Sequence, residues 1–236
     1  MTVAINVDQP YASLIAHGIK EWETRPYPPA GWPGIPEGQR RMPGVRVEPG
    51  QVVRIVSNRS MAKGWACWLS AWNDDDADRL NLMESLGWTL DESANGDGWC
   101  KVWKPSVPLG AVVAVARITD VVPIVEDYDD VCHAYDGPAA VEHQDGKLWL
   151  WPEWDSSLDE EPADLSDQLP YGDWTPGRWA WRLDDVRRLT EPVREYEVIC
   201  DVCDYPVPHP AMVPVRGRQG VWRPDPALVA ACGVEP

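Results

Sequence analysis

Residues 9–25, QPYASLIAHGIKEWETR, decide the fold, and they follow an apolar run at residues 3–7. The apolar run predicts a strand, and Pro10 suits the first turn of a helix because its φ angle is already close to helical. Apolar residues then recur at helical spacing, and Gly18 is a typical helix stop. These apolar residues are Tyr11, Leu14 and Ile15. The pattern predicts a strand, a short helix and a second short strand that is rich in charge.

This stretch resembles the ASCH family, a PUA-like β-barrel group. The family signature is a QPW-like helix start followed by G-x-K-x-x-E-x-R, and here it reads QPY at 9–11 and GIKEWETR at 18–25. Four further segments resemble the family's barrel strands and occur in the family's order. They are residues 49–57, 109–117, 177–183 and 215–222.

The resemblance implies an α+β fold, a PUA-like (ASCH) mixed β-barrel with flanking helices and an acidic insertion. A length of 236 residues suits one elaborated domain or two small ones. We expect a single elaborated ASCH-like domain over residues 1–236. Its barrel segments are expected at about 1–60, 105–125 and 177–224, and its insertions at about 61–104, 126–176 and 194–212.

Local patterns outside the motif predict further elements. Three tryptophans at helical spacing in residues 61–72 predict a helix with one apolar face, and Asp74 or Asp75 can cap a second helix that runs to Gly87. Residues 111–122 are the longest β-branched run and predict a buried central strand. The remaining predictions are a tight turn at 95–98 between short strands, a docked strand around Trp149 and Trp151, a strand at 178–189, and a helix from Asp225 to Ala231.

The charge is unevenly distributed. The net charge is −17, made up of +3 in residues 1–72, −19 in residues 73–175 and −1 in residues 176–236. Because phosphate contacts dominate nucleic-acid affinity, the acidic middle argues against a broad, nonspecific binder of duplexes. The first segment still allows a mildly basic cleft beside the acidic insertion.

Opposite charges cluster directly after Gly18. Side chains alternate along an extended segment, so Glu23 and Arg25 share one face and Trp22 and Thr24 the other. We expect Trp22 and Thr24 to point into the barrel, while Glu23 and Arg25 face a cleft that Lys20 can also reach. Such a set can present donors to a phosphate or a base edge. The alternative is a structural ion-pair network at the barrel mouth.

A second group of polar side chains follows the second predicted barrel strand. Ser57, Asn58 and Arg59 lie where related barrels line the same cleft, and their hydroxyl, amide and guanidinium suit a nucleotide. With Tyr11 they complete the predicted ligand-binding set of Tyr11, Lys20, Glu23, Arg25, Ser57, Asn58 and Arg59. Alternatively, Ser57 and Asn58 merely form an Asx- or Ser-type turn. Three further arginines can either form a basic rim around the cleft or be solvated surface residues. They are Arg178, Arg216 and Arg218.

One bacterial branch of the ASCH family hydrolyses the amide of N4-acetylcytidine with a Lys, Thr and Glu trio, in which Thr follows Lys by three residues. At that spacing this chain has Glu23, and its threonine, Thr24, falls on the opposite face. The resemblance therefore leaves a mechanism with Lys20 as catalytic base and Glu23 as the catalytic residue that positions water.

No metal or other cofactor is predicted. Cys200, Cys203 and His209 have the spacing of half a zinc site, and a fourth ligand would have to come from afar, such as Cys232. The six cysteines are scattered, which fits reduced thiols in a cytosol. No apolar run approaches the roughly 20 residues of a membrane span. We expect a cytoplasmic protein without a membrane partner.

The leading functional prediction is binding of RNA, or of a nucleotide or modified nucleoside, in the charged cleft. One alternative is a hydrolase, either an amidohydrolase on N4-acylated cytidine or a ribonuclease, that uses Lys20 and Glu23. The other is an acidic interaction protein that binds a basic partner or mimics nucleic acid. The sequence gives no oligomeric state.

Overall fold

The structure is a computed structural model that describes residues 3–35, 37–61, 77–91, 102–104, 108, 110–126, 141–151, 161–194, 221–224 and 226. The helices are α1 (Tyr11–Ala16), α2 (Ala77–Ser85) and a 3-10 helix (Ser166–Tyr171). The strands are β1 (Val3–Gln9), β2 (Trp22–Arg25), β3 (Gln51–Met61), β4 (Thr89–Asp91), β5 (Val102–Lys104), β6 (Ala111–Val125), β7 (Val141–Gln144), β8 (Lys147–Leu150), β9 (Ala163–Asp164), β10 (Trp179–Arg194) and β11 (Val221–Trp222).

Nine of these strands form one mixed sheet, and β4 and β5 form a separate hairpin. The main path runs β11-β1-β3-β6-β7-β8-β9, while β10 pairs with β6 and carries β2 on its other side. β1 is parallel to β3, and β6 is parallel to β7. The fold is therefore a mostly-β mixed sheet with a few short helices.

The long strand β6 lies at the centre of this sheet. Its sequence, AVVAVARITDVVPIV, is mostly buried. Strands β3 and β10 pair with its two edges, and apolar clusters pack against its faces. Such a run of valine and isoleucine is typical of a strand covered on both faces. The prediction of a buried central strand at 111–122 is confirmed, and the strand continues to Val125.

The predicted barrel is not closed. All five ASCH-like segments contribute to the one sheet, but within the described residues β2 pairs with β10 alone. Closure would need β2 to pair with β1 or β11, and among the described residues it pairs with neither. β11 covers only part of the outer edge of β1, where Ala4 pairs with Trp222 and Ile5 with Val221. A side-chain bond from the Arg25 guanidinium to the Asn6 carbonyl oxygen spans the gap instead.

The sheet buries apolar residues on both faces. The main cluster joins β1, β3, β6 and β10 to helix α1, and it includes Ile5, Ile15 and Trp181. A second cluster covers the opposite face of β2 and contains Trp22, Trp174 and residues of β7 and β8. The expectation that Trp22 and Thr24 point into the barrel is therefore wrong, since the main cluster lies on the other face of β2. Strands β7 and β8, from the acidic segment, extend the sheet and cover the face on which Trp22 lies.

Other local predictions have mixed outcomes. The second helix is confirmed as α2, the short strands near the 95–98 turn as β4 and β5, and the docked strand around Trp149 as β8. The 178–189 strand is confirmed as β10 and extends to Arg194. Of the tryptophan-rich helix predicted in residues 61–72, Met61 ends β3 and the rest lies outside the described residues. The turn itself and residues 227–231 of the last predicted helix also lie outside them.

Candidate functional site

Lys20 lies at the corner between α1 and β2. The helix ends with Gly18 at a φ of +72°, a left-handed conformation that favours glycine. The next two backbone N–H groups, of Ile19 and Lys20, both donate to the Leu14 carbonyl oxygen, at 3.0 and 3.3 Å. This tight exit directs the chain into β2 with the Lys20 side chain buried, only 1% exposed.

A carboxylate stands between two cations at this corner. Glu23 Oε2 lies 3.5 Å from Lys20 Nζ, and Glu23 Oε1 lies 2.9 Å from Arg25 Nη2. The side chains of Glu23 and Arg25 are 10% and 16% exposed. We call these three residues the charged cluster. It brings together three of the predicted site residues, and both of the predicted catalytic residues.

Lys20 has two further contacts. Its Nζ donates to the Tyr171 carbonyl oxygen at 2.5 Å and lies 5.5 Å from the centre of the Tyr11 ring. Burial lowers the pKa of the Lys20 ammonium, while the charge and hydrogen bond of Glu23 oppose that shift. Tyr11 is thus part of the site, through a cation–π contact with Lys20.

A segment from the acidic region packs against the corner that holds Lys20. We call residues 166–175, the 3-10 helix and the loop after it, the strap. Gln168 binds the corner twice, since its Oε1 accepts the Glu21 N–H at 2.9 Å and its Nε2 donates to the Ile19 carbonyl oxygen at 3.3 Å. The Trp174 indole donates to the Gln168 carbonyl oxygen at 3.0 Å, a hydrogen bond that joins the loop of the strap to its 3-10 helix.

The pairing of β2 with β10 places two tryptophans beside the charged cluster. Trp181 is opposite Glu23 and Trp179 is opposite Arg25, so these side chains share the face of the main core. Trp181 is 0% exposed. Neither its indole Nε1 nor the buried Nε of Arg25 has a hydrogen-bond partner among the described residues.

Thr24 lies on the opposite face from the charged cluster, as alternation predicts. It pairs with Ala180, which belongs to the second cluster. Its Oγ1 accepts the backbone N–H of Asp173 at 3.0 Å and thereby holds the strap. The hydroxyl is therefore directed away from the side on which Lys20 and Glu23 meet.

The Ser57 group lies elsewhere in the sheet. Ser57 is in β3 rather than in a turn, and its hydroxyl donates to the Ala111 carbonyl oxygen and accepts the Ala111 N–H, both at 3.1 Å. These bonds lie just beyond a shift in the β3–β6 register, which falls between Ile55 and Val56. Asn58 Nδ2 donates to Asp8 Oδ1 at 2.5 Å. The Arg59 side chain lies outside the described residues, and the site proposed below includes none of these three.

The predicted basic rim has one described member. Arg178 binds Asp173 through Nε to the carbonyl oxygen at 3.0 Å and through Nη1 to the carboxylate at 3.3 Å, so it orders the end of the strap. Arg216, Arg218 and the half zinc site of Cys200, Cys203, His209 and Cys232 lie outside the described residues.

The described residues contain no group of three histidine, cysteine, aspartate or glutamate side chains that could hold a metal ion. Nor do they contain a helix long and apolar enough to cross a membrane.

A separate surface groove of about 360 Å³ lies on β3, β6 and β10. Its wall includes Arg117 and Asp185, whose side chains bind each other at 3.1 Å. No residue of the charged cluster lines it, so the groove and the candidate site are distinct.

Sequence reasoning missed three contributors to the site. Tyr171 acts through a backbone carbonyl, which any residue could supply, and Gln168 has no local pattern that marks it. The position of Trp181 opposite Glu23 follows once β10 is known to pair with β2. That pairing joins residues more than 150 apart in the chain, so local periodicity could not predict it.

The charged cluster, the strap and the two unpartnered donors are therefore known from geometry alone. No protein-family model matches the chain, and no curated protein matches it either.

Proposed function

We propose that this chain binds a nucleoside or nucleotide, free or within RNA, by reading its base at the charged cluster. The observation that carries the proposal is a buried carboxylate held between two cations. Glu23 lies 3.5 Å from Lys20 Nζ and 2.9 Å from Arg25 Nη2. Charged donors next to a carboxylate match the mixed donors and acceptors of a base edge. The resemblance to the ASCH family supports the same ligand class, and we propose that the sheet is an open relative of that family's barrel.

Charge and burial favour a base over a phosphate as the group that is bound. Glu23 already neutralises one of the two cations, and the acidic segment supplies the strap whose Tyr171 carbonyl accepts from Lys20. A phosphate would therefore meet a weakly positive, mostly enclosed site. A base edge needs directional hydrogen bonds instead of net positive charge.

The burial of the cluster also needs a reason other than stability. Taking charges out of water costs about as much as their attraction returns, so a buried ion pair is weak evidence for stability. Perturbed, buried charges are enriched at functional sites. A purely structural network, in which Lys20 holds Tyr171 and Arg25 holds Asn6, is the competing interpretation, and binding measurements separate the two.

The test is calorimetric titration of the wild-type chain with cytidine, N4-acetylcytidine, their 5′-monophosphates and a short single-stranded RNA. Arg25→Gln should weaken the binding of every ligand that binds, by about ten- to hundredfold, because it removes a charged donor worth roughly 1.5–3 kcal/mol. The matched control is Arg182→Gln, on the neighbouring strand but on the opposite face, opposite Trp22.

Three outcomes decide the result. Weaker binding by Arg25→Gln with unchanged binding by Arg182→Gln supports the proposal. No binding of any ligand by wild type, or equal binding by Arg25→Gln and wild type, refutes it. Tighter binding of the RNA than of the nucleosides would identify the nucleic acid, and not the free base, as the ligand.

The lowered pKa of Lys20 favours hydrolysis as a second candidate function. A buried lysine with a lowered pKa can act as a general base on water, with Glu23 nearby to position it. The test is release of acetate from N4-acetylcytidine by wild type and Lys20→Met. The rate should rise with pH as Lys20 loses its proton, and Lys20→Met should abolish it. An unchanged rate in Lys20→Met would reject Lys20 as the base.

A further inference from the structure

Two buried N–H donors next to the charged cluster have no acceptor among the described residues. They are the indole Nε1 of Trp181 and the guanidinium Nε of Arg25. The hydrogen bonds of the charged cluster use other atoms, since Arg25 binds both Glu23 and Asn6 through Nη2. The proposed role of the cluster therefore leaves these two donors unused.

Such donors are unusual inside a folded protein. Most buried N–H groups are hydrogen-bonded, because leaving one without an acceptor forfeits the bond it made to water. Two other buried indoles among the described residues follow the rule: Trp174 donates to the Gln168 carbonyl oxygen and Trp222 donates to Asn6 Oδ1 at 2.9 Å. The exception at Trp181 therefore indicates a group that accepts.

The two donors lie on one face and close in register. Arg25 is opposite Trp179 and Glu23 is opposite Trp181, which makes Arg25 and Trp181 diagonal neighbours across β2 and β10. The Cβ atoms of such neighbours are about 7 Å apart, within the reach of an arginine and a tryptophan side chain. Arg25 is 16% exposed and Trp181 is fully buried, so Arg25 marks the surface side and Trp181 the deep end.

We propose that Trp181 Nε1 and Arg25 Nε donate together to an oxygen-bearing group of the ligand, a carbonyl of its base, and that Trp181 sets the specificity of the site. This inference rests on the proposed function for the nature of the ligand. Both groups are donors only, since neither an indole nor a guanidinium can accept a hydrogen bond. The pair therefore selects bases that carry a carbonyl at the bound edge and rejects analogues that lack it.

The experiment follows the indole N–H signals of the full chain labelled with ¹⁵N-tryptophan. Trp181→Phe assigns the Trp181 signal, and Trp174→Phe assigns a control signal whose N–H is already bonded to Gln168. The probes are two matched pairs of nucleosides, uridine with 4-deoxyuridine and inosine with purine riboside. In each pair the second compound lacks one oxygen atom that the base of the first compound carries. Acetate is added as a small oxygen acceptor that contains no nucleoside.

The oxygen-bearing member of at least one pair should shift the Trp181 signal downfield and leave the Trp174 signal in place. It should also bind about tenfold or more tightly than its partner, the discrimination expected of a good directional contact. Trp181→Phe should retain binding but lose that preference. If Trp181→Phe does not fold, the wild-type signal is assigned through its contacts to neighbouring protons, and the shift and the preference decide.

Failure of this inference can be told apart from failure of the proposed function. If nucleosides bind but the Trp181 signal does not move, or Trp181→Phe keeps the preference, the inference is wrong and the proposed function stands. If no nucleoside binds but acetate shifts the Trp181 signal, the donors take an oxygen acceptor of another ligand and the nucleoside proposal is wrong. If no nucleoside binds and no probe shifts the signal, both fail.

Discussion

Replacing Glu23 by glutamine tests how the charged cluster is held together. Glutamine has the size of glutamate but no charge, so Glu23→Gln removes the one carboxylate that pairs with both cations. Lys20, which is 1% exposed, then remains near Arg25 as an uncompensated buried charge. Removing one partner of a buried pair costs about 3–5 kcal/mol, a large part of the roughly 5–15 kcal/mol by which a domain is stable.

A double-mutant cycle sharpens this prediction. Lys20→Met leaves Glu23 paired with Arg25 at 2.9 Å, so it should cost less, about 1–3 kcal/mol for the lost hydrogen bond to Tyr171. In the double variant Lys20→Met/Glu23→Gln no lysine charge is left uncompensated. Its cost should fall below the sum of the single costs by about 0.5–3 kcal/mol, the coupling usual for residues in contact.

The assay is urea unfolding at neutral pH, followed by the fluorescence of the 15 tryptophans. The control is Glu48→Gln, because the Glu48 side chain is 72% exposed and its nearest cation, Arg46, is 3.9 Å away. This exposed pair should contribute less than about 1 kcal/mol. If Glu23→Gln costs no more than Glu48→Gln, or the two site substitutions are additive, the cluster is not the coupled unit described above.

Four further predictions concern the site and the strap. Trp174→Phe should destabilise the chain by about 1 kcal/mol more than Trp181→Phe, because both substitutions remove the same volume but only Trp174 loses a hydrogen bond. Equal losses of unfolding free energy in urea would contradict the unpartnered state of the Trp181 indole. Burial lowers the pKa of Lys20 in the folded chain below 10.5. Between that lowered pKa and 10.5 the unfolded chain therefore binds more protons than the folded chain, so the stability of wild type relative to Lys20→Met should rise with pH. A stability difference that stays flat or falls in alkaline unfolding curves would show that the pKa is not lowered. Gln168→Ala should speed hydrogen exchange at the Glu21 amide by about tenfold or more, since that N–H loses its acceptor, and exchange at the Asp173 amide serves as the internal comparison. Thr24→Ser keeps the hydroxyl that accepts the Asp173 N–H and should leave ligand binding unchanged in calorimetry, whereas a loss of binding would place Thr24 in the site.

Local patterns in the sequence predicted the elements that depend on neighbours along the chain. Helix α1 follows from apolar spacing and the stop at Gly18, and β6 follows from its run of branched residues. The separation of Glu23 and Arg25 from Trp22 and Thr24 follows from strand alternation. Each of these needs only the geometry of one segment, which is why the sequence was sufficient.

Only the tertiary structure decided what each face of those segments meets. Alternation put Trp22 and Glu23 on opposite sides, but the docking of β7, β8 and the strap made the Trp22 side a second core. The barrel stays open because β2, which pairs with β10, makes no ladder with β1 or β11 among the described residues. The acceptor for Lys20 is the carbonyl of Tyr171, 151 residues away. A backbone carbonyl and a distant strand edge leave no trace in side-chain periodicity, so contacts of this kind are determined by packing and not by local sequence.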